Sequence, residues 1–264
     1  MKIGTRPLAV ATALLLLLGV VGLLVVDDEP GSTVLTTAAS ATEAKGTARI
    51  SMAMSFGSGS ADTTMNGDGL IDMAGQRARV TFTSAALPAP AEVLVDGPIV
   101  YVATSSAELK AQAGGKAWMA FDTSGTVPGL GGGAFSGAGD PMQSLRLMQQ
   151  KGIAGQVREN GTQEVRGTAT TRYVADIDMA AMTRALSSPQ AAALEQLVRQ
   201  ADAEMEVWLD DAGVVRRSVF RTTFGAASQS LTTTVTTELF DFGVPVDIAP
   251  PPADQVHRIQ QPTG

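Results

Sequence analysis

Beyond residue 46 the chain alternates between apolar and polar side chains with a period of two. Over residues 48–56 the even positions, Ala48, Ile50, Met52, Met54 and Phe56, are apolar, and most of those between them are polar. Such a pattern predicts a strand with one buried and one wet face. Gly57-Ser58-Gly59-Ser60 then turns the chain. A second strand over 63–73 places Met65, Ile71 and Met73 on one side and Asn66, Asp68 and Asp72 on the other. Gly67 and Gly69 fall on the apolar side and leave space there. Ala78, Val80 and Phe82 alternate with Arg77, Arg79, Thr81 and Thr83. Shorter strands are expected at 92–95, 99–103 and 117–122, with Asp96-Gly97-Pro98 turning between the first two. Hairpins in succession predict an antiparallel meander.

Residues 123–139 contain seven glycines and predict no regular element. Asp140 and Pro141 suit the N-cap and first position of a helix carrying Met142, Leu145 and Met148, which Gly152 ends. Two strands, 153–159 and 163–178, follow, with Asn160-Gly161 expected as the hairpin turn between them. Helices are expected at 179–186 and 189–201, the second opened by Ser188-Pro189 and striped by Leu194, Leu197 and Val198. Strands at 204–210, 214–224 and 229–240 close the pattern, with Asp211-Ala212-Gly213 as a turn. The last is mostly Thr, so one face is expected to be exposed. About eleven strands with three clustered helices read as α+β, not as a doubly wound parallel sheet.

The N-terminus follows another rule. Lys2 and Arg6 precede an uncharged run over residues 8–26, and Asp27, Asp28 and Glu29 follow it directly. As a helix the run would be roughly 28 Å long, close to the hydrocarbon thickness of a bilayer. It is longer than the apolar region of a cleaved signal peptide, and the nearest small-x-small pattern, Thr37-Ala38-Ala39, lies well beyond it. Residues 1–26 therefore read as an uncleaved signal anchor, single-pass in the cell membrane, with the main domain extracytoplasmic. Cleavage would instead make the protein secreted. Residues 27–45, rich in Ser, Thr, Ala and Gly, read as a flexible linker. The domain then covers 46–249, and 250–264 is a Pro-rich tail with His257 on its surface.

Composition narrows the chemistry. Nineteen Lys and Arg against 26 Asp and Glu leave a formal charge of −7, which argues against nucleic-acid binding. Cys is absent and His257 is the single histidine, which excludes disulfides, thiolate sites, multi-His metal centres and most His-based catalysis. The glycine run 129–133 completes no phosphate-binding motif, and Asp140 at the expected helix entry would repel a phosphate. Ser136 has no nucleophile elbow around it. Asp210 and Asp211 are neighbours on a strand, where side chains point to opposite faces, so a turn is the better reading than a metal site. Asn160-Gly161-Thr162 fits a glycosylation sequon, although Asn-Gly is first a turn signal. Met52, Met54, Met65, Met73, Met119, Met142, Met148, Met179 and Met182 all take expected apolar positions. They read either as ordinary core or as the flexible lining of a pocket for a greasy ligand.

Four phrases, in this order and spacing, resemble the actinobacterial cell-envelope lipoproteins of the LppX/LprG type and, more distantly, the lipoprotein carrier LolA. They are Asp140-Pro141 with Leu145 and Met148; Gly167-Thr168-Ala169-Thr170-Thr171-Arg172-Tyr173-Val174 leading to Asp178; Val207-Trp208-Leu209-Asp210-Asp211 with Gly213 and Arg216-Arg217; and Asp241-Phe242-Gly243 to Val246-Asp247-Ile248 and Pro251-Pro252. The resemblance implies a curved antiparallel β half-barrel with helices on its concave face and a cavity for lipid acyl chains between them. The lipidated Cys of that family is missing here, and the apolar run 8–26 stands in its place.

The expectation is thus a non-enzymatic, extracytoplasmic lipid-binding protein for lipid or lipoprotein transport, with no cofactor. Its partners would be a lipid or other hydrophobic ligand, the membrane through the N-terminal helix, and a membrane transporter. The competing reading is a sensory or adaptor module of the same fold that binds a protein. The cavity is expected to be lined by Ile50, Met52, Met54, Phe56, Val80, Phe82, Met119 and Phe121 from the sheet. Leu145, Met148, Leu194 and Leu197 would face them from helices. The glycine-rich segment, with Val127, Leu130 and Phe135, reads either as a lid over the cavity or as a plain connector. The anchor is open to test: N-terminal sequencing of the mature protein should find residues 1–26 still attached, and a start between Asp27 and Lys45 would make it secreted.

Overall fold

Two meanders share one sheet. The computed structural model describes residues 30–57, 62–122, 157–179, 201–225 and 230–259. The first meander is β1 (Thr47–Gly57), β2 (Asp62–Asp72), β3 (Arg77–Thr83), β4 (Ala91–Asp96), β5 (Ile99–Ala103) and β6 (Trp118–Asp122). The second is β7 (Arg158–Val165), β8 (Thr168–Ile177), β9 (Ala201–Leu209), β10 (Val215–Phe224) and β11 (Leu231–Phe240). β1 pairs antiparallel with β11 and joins the two. A short strand, β12 (Val256–Arg258), adds parallel to β6 at the edge. The resulting twelve-stranded sheet is curved and open, in the order β12-β6-β5-β4-β3-β2-β1-β11-β10-β9-β8-β7. This is the α+β antiparallel sheet expected from the pattern, curved as the resemblance implies, with one strand more.

Period-two alternation is obeyed in β1, where Ala48, Ile50, Met52 and Met54 are buried while Arg49 and Ala53 are exposed. The pairing carries this inner face across neighbouring strands: Met54 lies opposite Met65 on β2 and Val235 on β11, and Val80 on β3 lies opposite Gly69 and Val93. The two strand glycines, expected to leave space, are instead closely covered. The Phe82 ring occupies the position over Gly67, 2.5 Å from where a Cβ would stand, and Phe82 is fully buried. At Gly69 a Cβ would run into the Arg79 carbonyl oxygen. A large ring on one strand therefore fills the gap that a glycine leaves on its neighbour.

Residues 30–43, expected as part of a flexible linker, form a helix, α1 (Pro30–Glu43). Leu35 and Ala38 are buried in a cluster with Ala175, Ile177, Ala203, Met205, Val207, Leu209 and Val215, so α1 lies on the inner face of the second meander. Its Thr and Ser content gives weak helix propensity, and packing on the sheet supplies the difference. Small residues on the contact side hide the apolar stripe from the sequence but let the helix approach closely. Thr42 locks the arrangement: its hydroxyl donates to the Ala38 carbonyl at 2.6 Å and accepts the Val215 backbone N–H at 3.0 Å.

Other expectations are corrected. Asn160-Gly161 is not the hairpin turn. Gly161 (φ +77°) sits in a bulge of β7, where the register shifts between Glu159 and Thr162. The turn is Arg166-Gly167, both with positive φ, as a two-residue type I′ connection requires. Arg166 takes a backbone conformation unusual for its residue type, and its guanidinium is held from afar: Nε is 2.6 Å from Glu238 Oε2, and the group lies 3.9 Å from the centre of the Phe240 ring. A short helix, α2 (Ala107–Gln112), absent from the sequence reading, is capped by Ser106, whose hydroxyl accepts the Leu109 N–H. β9 starts at Ala201, inside the span expected for a helix.

The segment after β11 runs on into the expected tail and gives part of it a fixed place. Gly243 N–H donates to the Thr47 carbonyl, Thr47 Oγ1 donates to the Val244 carbonyl, and Arg79 reaches the Ala249 carbonyl. Ile248 is buried in an outer-face cluster with Leu94, Tyr101 and Ala120. Residues 243–259 thus strap the outer face and end as β12. His257, expected on the surface, is half-buried opposite Met119. The apolar run 8–26 and the expected helices at 140–149, 179–186 and 189–201 lie outside the described residues, apart from Met179 and the first residue of β9. Among the described residues no helix is long and apolar enough to cross a membrane.

Replacing Thr42 by Val should lower stability by about 1–3 kcal/mol, because the Val215 N–H loses its acceptor in a buried place. Urea unfolding measures this; an unchanged midpoint would mean that α1 does not dock as described.

Candidate functional site

Among the described residues the inner face is an extended apolar surface that both meanders build. Ile50, Met52, Met54, Val80, Phe82 and Met119 are buried on it, and Phe56 and Phe121 pack at its margin. Strand pairing puts all eight on one side of the sheet: Phe82 stands opposite Gly67, Met119 opposite Val102, and Phe121 opposite Val100. Leu145, Met148, Leu194 and Leu197, expected to face them, and the lid residues Val127, Leu130 and Phe135 lie outside the described residues.

The surface extends further than the sequence reading took it. Register carries it from Met54 through Val235 and Phe220 to Met205 and Ala175. The sequence hid this half for a physical reason. In β9 both faces are buried, so Ala203, Met205, Glu206, Val207 and Trp208 show no clean alternation. In β10 the inner positions include Ser218 and Thr222, which look wet but are buried. Tyr173 sits near the margin, opposite Val207. Burial first, and then the Glu159 charge, push its phenol pKa upward, so it stays a neutral hydrogen-bonding group at neutral pH.

The opposite face is charged and internally paired. The Trp208 ring lies between the guanidinium groups of Arg172 and Arg217, each 5.4 Å from its centre, and its Nε1 donates to Gln163 Oε1 at 3.0 Å. Arg172 pairs with Glu206, and Arg166 and Arg217 share Glu238. A hollow of about 400 Å³ lies at one end of the sheet, lined by Val165, Arg166, Thr168, Arg216, Phe240 and Asp241 among others. Its charges are already matched: Arg216 holds Asp210 at 2.7 Å, and Asp241 lies 3.3 Å from Arg49. It offers an anion little.

Asp210 is a turn residue, as its spacing implied. Its Oδ1 accepts the N–H groups of Ala212 and Val214, and Gly213 takes the positive φ. Burial alone would raise its pKa, but the Val214 N–H, the Arg216 guanidinium and the Ala212 N–H together hold it below the usual value. Glu238 behaves alike: burial opposes, and Arg217 and Arg166 win. Among the described residues no three His, Asp or Glu side chains converge as a metal site.

An open, curved antiparallel sheet, apolar within and carrying a helix on its inner face, is the LolA/LppX-like half-barrel. LppX from Mycobacterium tuberculosis shares it, with a TM-score of 0.52 at 13% identity over 82% of this chain and 97% of LppX. LprF from Mycobacterium bovis matches at 14% identity over 83% and 95% of the two chains, with a TM-score of 0.41. A LolA superfamily protein from Nitrosomonas europaea matches at 8% over 81% and 96%, with a TM-score of 0.35. No protein-family model and no curated protein matches the chain. At these identities the likeness to LppX establishes the fold alone.

The two depressed carboxylates set a pH dependence. Their contribution to stability is complete above the ordinary carboxylate pKa of about 4 and is lost as pH falls through their lower folded values. Asp210→Asn should therefore be less stable than the parent at pH 7, with the gap closing towards pH 3. Urea midpoints measured across that range test it; a gap independent of pH would contradict the assignment.

Proposed function

We propose that the protein holds lipid acyl chains against the inner face of its half-barrel, as a non-enzymatic carrier on the extracytoplasmic side of a cell membrane. The observation that supports this is the continuity of the apolar inner face across the β1–β11 junction, with methionines from both meanders, Met52, Met54, Met65, Met119 and Met205. Unbranched, polarisable side chains adapt to chains of varying length and unsaturation. Transfer is hydrophobic: each methylene moved from water to such a surface gains about 0.8 kcal/mol. A polar code is then needed only where the ligand carries polar atoms. Lipid or lipoprotein transport with a membrane transporter as partner is the process this would serve.

The anchor is part of the proposal, in a modified form. Only Asp27, Asp28 and Glu29 separate the apolar run 8–26 from the start of α1 at Pro30. An anchored domain would then stand close against the bilayer, since α1 is docked on the sheet. Transfer between membrane and inner face needs only a short path in that arrangement.

Native mass spectrometry of the gently purified protein decides between carrier and adaptor. Bound lipid, together with uptake of a fluorescent fatty acid, is the expected result. A ligand-free mass with no uptake would instead favour a filled core and a protein-binding role, for which the Phe82 ring packed over Gly67 is the supporting observation.

A further inference from the structure

Thr237 interrupts the apolar inner face at its centre. The residue is 3% exposed, and its hydroxyl oxygen is buried with no hydrogen-bond partner in the protein. Native proteins pair nearly all such groups, so an orphan asks for an explanation. Packing gives none, because Val has the same shape and would lose nothing there. Thr237 lies on β11 at the junction of the meanders, opposite Met52 on β1 and Ser218 on β10. Ser218 is buried too. Four residues back on the same face, Thr233 lies opposite Thr222, another buried hydroxyl residue. Two cross-strand pairs of hydroxyl residues thus flank Val235 and Phe220 in the middle of a surface that is otherwise apolar.

We infer that Thr237, with Ser218 beside it, forms a polar subsite that donates a hydrogen bond to the ester carbonyl of an acyl lipid. The inference rests on the lipid-holding reading above and names the preferred class of cargo: ester-linked acyl lipid over its ether or hydrocarbon counterpart. The chemistry fits on both sides. An ester carbonyl accepts and has nothing to donate, and a hydroxyl with no acceptor nearby has a proton to give. A carboxylate gains less at this spot than an ester, because its described neighbours, Met52, Val207, Val235 and Leu239, carry no charge to balance it, so a fatty acid would keep its carboxylate elsewhere. An ester also sits well inside its molecule, with apolar chain on one side at least, which matches a polar spot away from the rim.

The test uses the full chain in detergent micelles and two probes, 1-oleoylglycerol and its ether analogue 1-oleylglycerol, each competing with a fluorescent fatty acid. The analogue differs by the carbonyl. The native chain should prefer the ester by about 3- to 10-fold, the value of one hydrogen bond made in place of an orphan. Thr237→Val should bring the ratio to about one without weakening ether binding, and should melt no lower than the parent when ligand-free. Thr237→Ser should keep the preference. Equal affinities in the native chain, or a preference that survives Thr237→Val combined with Ser218→Ala, would overturn the inference while leaving lipid binding intact. Displacement by neither probe, with no uptake of the fluorescent acid, would overturn the lipid-holding reading and the inference with it.

Discussion

The pairing of β1 with β11 is the contact on which the rest of the sheet depends. It joins strands from opposite ends of the described chain, Arg49 to Phe240 and Gly57 to Thr232. Without it the two meanders would be separate sheets with unpaired edges. Its register also decides which side chains share a face. A slip by one residue would turn Thr236 and Thr234 inward beside Met52 and Met54 and expose Val235 and Leu239. The inner surface is continuous because the alternation in β1 and that in β11 are brought into phase at this seam.

The outer face holds the seam from behind with different physics. Glu238 on β11 takes Arg217 from the next strand and Arg166 from the distant β7–β8 turn, so one carboxylate ties three strands' worth of chain. Trp208, flanked by Arg172 and Arg217, spreads the same cross-bracing over β8, β9 and β10. Over the first meander the brace is apolar. The strap after β11 lays Ile248 on Leu94, Tyr101 and Ala120 and ends in β12. The two halves therefore present a common inner surface from different outer supports. Lateral ties of this kind leave the inner face, apart from the Thr42 contact that docks α1, with few structural polar contacts, which is the condition a lipid-holding surface needs.

On that inner surface the distribution of polarity carries the functional argument. Methionine and small residues provide adaptable apolar contact, while buried hydroxyl residues concentrate where β10 meets β11. A core selected only for packing has no use for a hydroxyl such as that of Thr237, and a surface selected only for solubility would not bury it.

Much of this was legible in the sequence. Period-two alternation is a local property of the chain, so the side on which Ile50, Met52, Met54, Val80, Phe82 and Met119 stand followed from neighbours two residues away. The turn at Asp210 followed likewise, since the groups that hold its carboxylate lie within six residues. Where a partner lies far along the chain, the local signal failed. Residues 30–43 looked like a tether until Thr42 met Val215, 173 positions on. Asn160-Gly161 looked like the turn, yet the chain turns at Arg166-Gly167, where Glu238, 72 positions away, meets the arginine. Residues 250–264 looked like a polar tail because β6, beside which 256–258 add as β12, belongs to the first meander. The sequence by itself determined most of the strands and, where alternation is clean as in β1 and β3, the side each residue takes. Only the tertiary structure decided which helix docks, which turn closes and which hydroxyl is left without a partner, because those depend on groups that the chain brings together from afar.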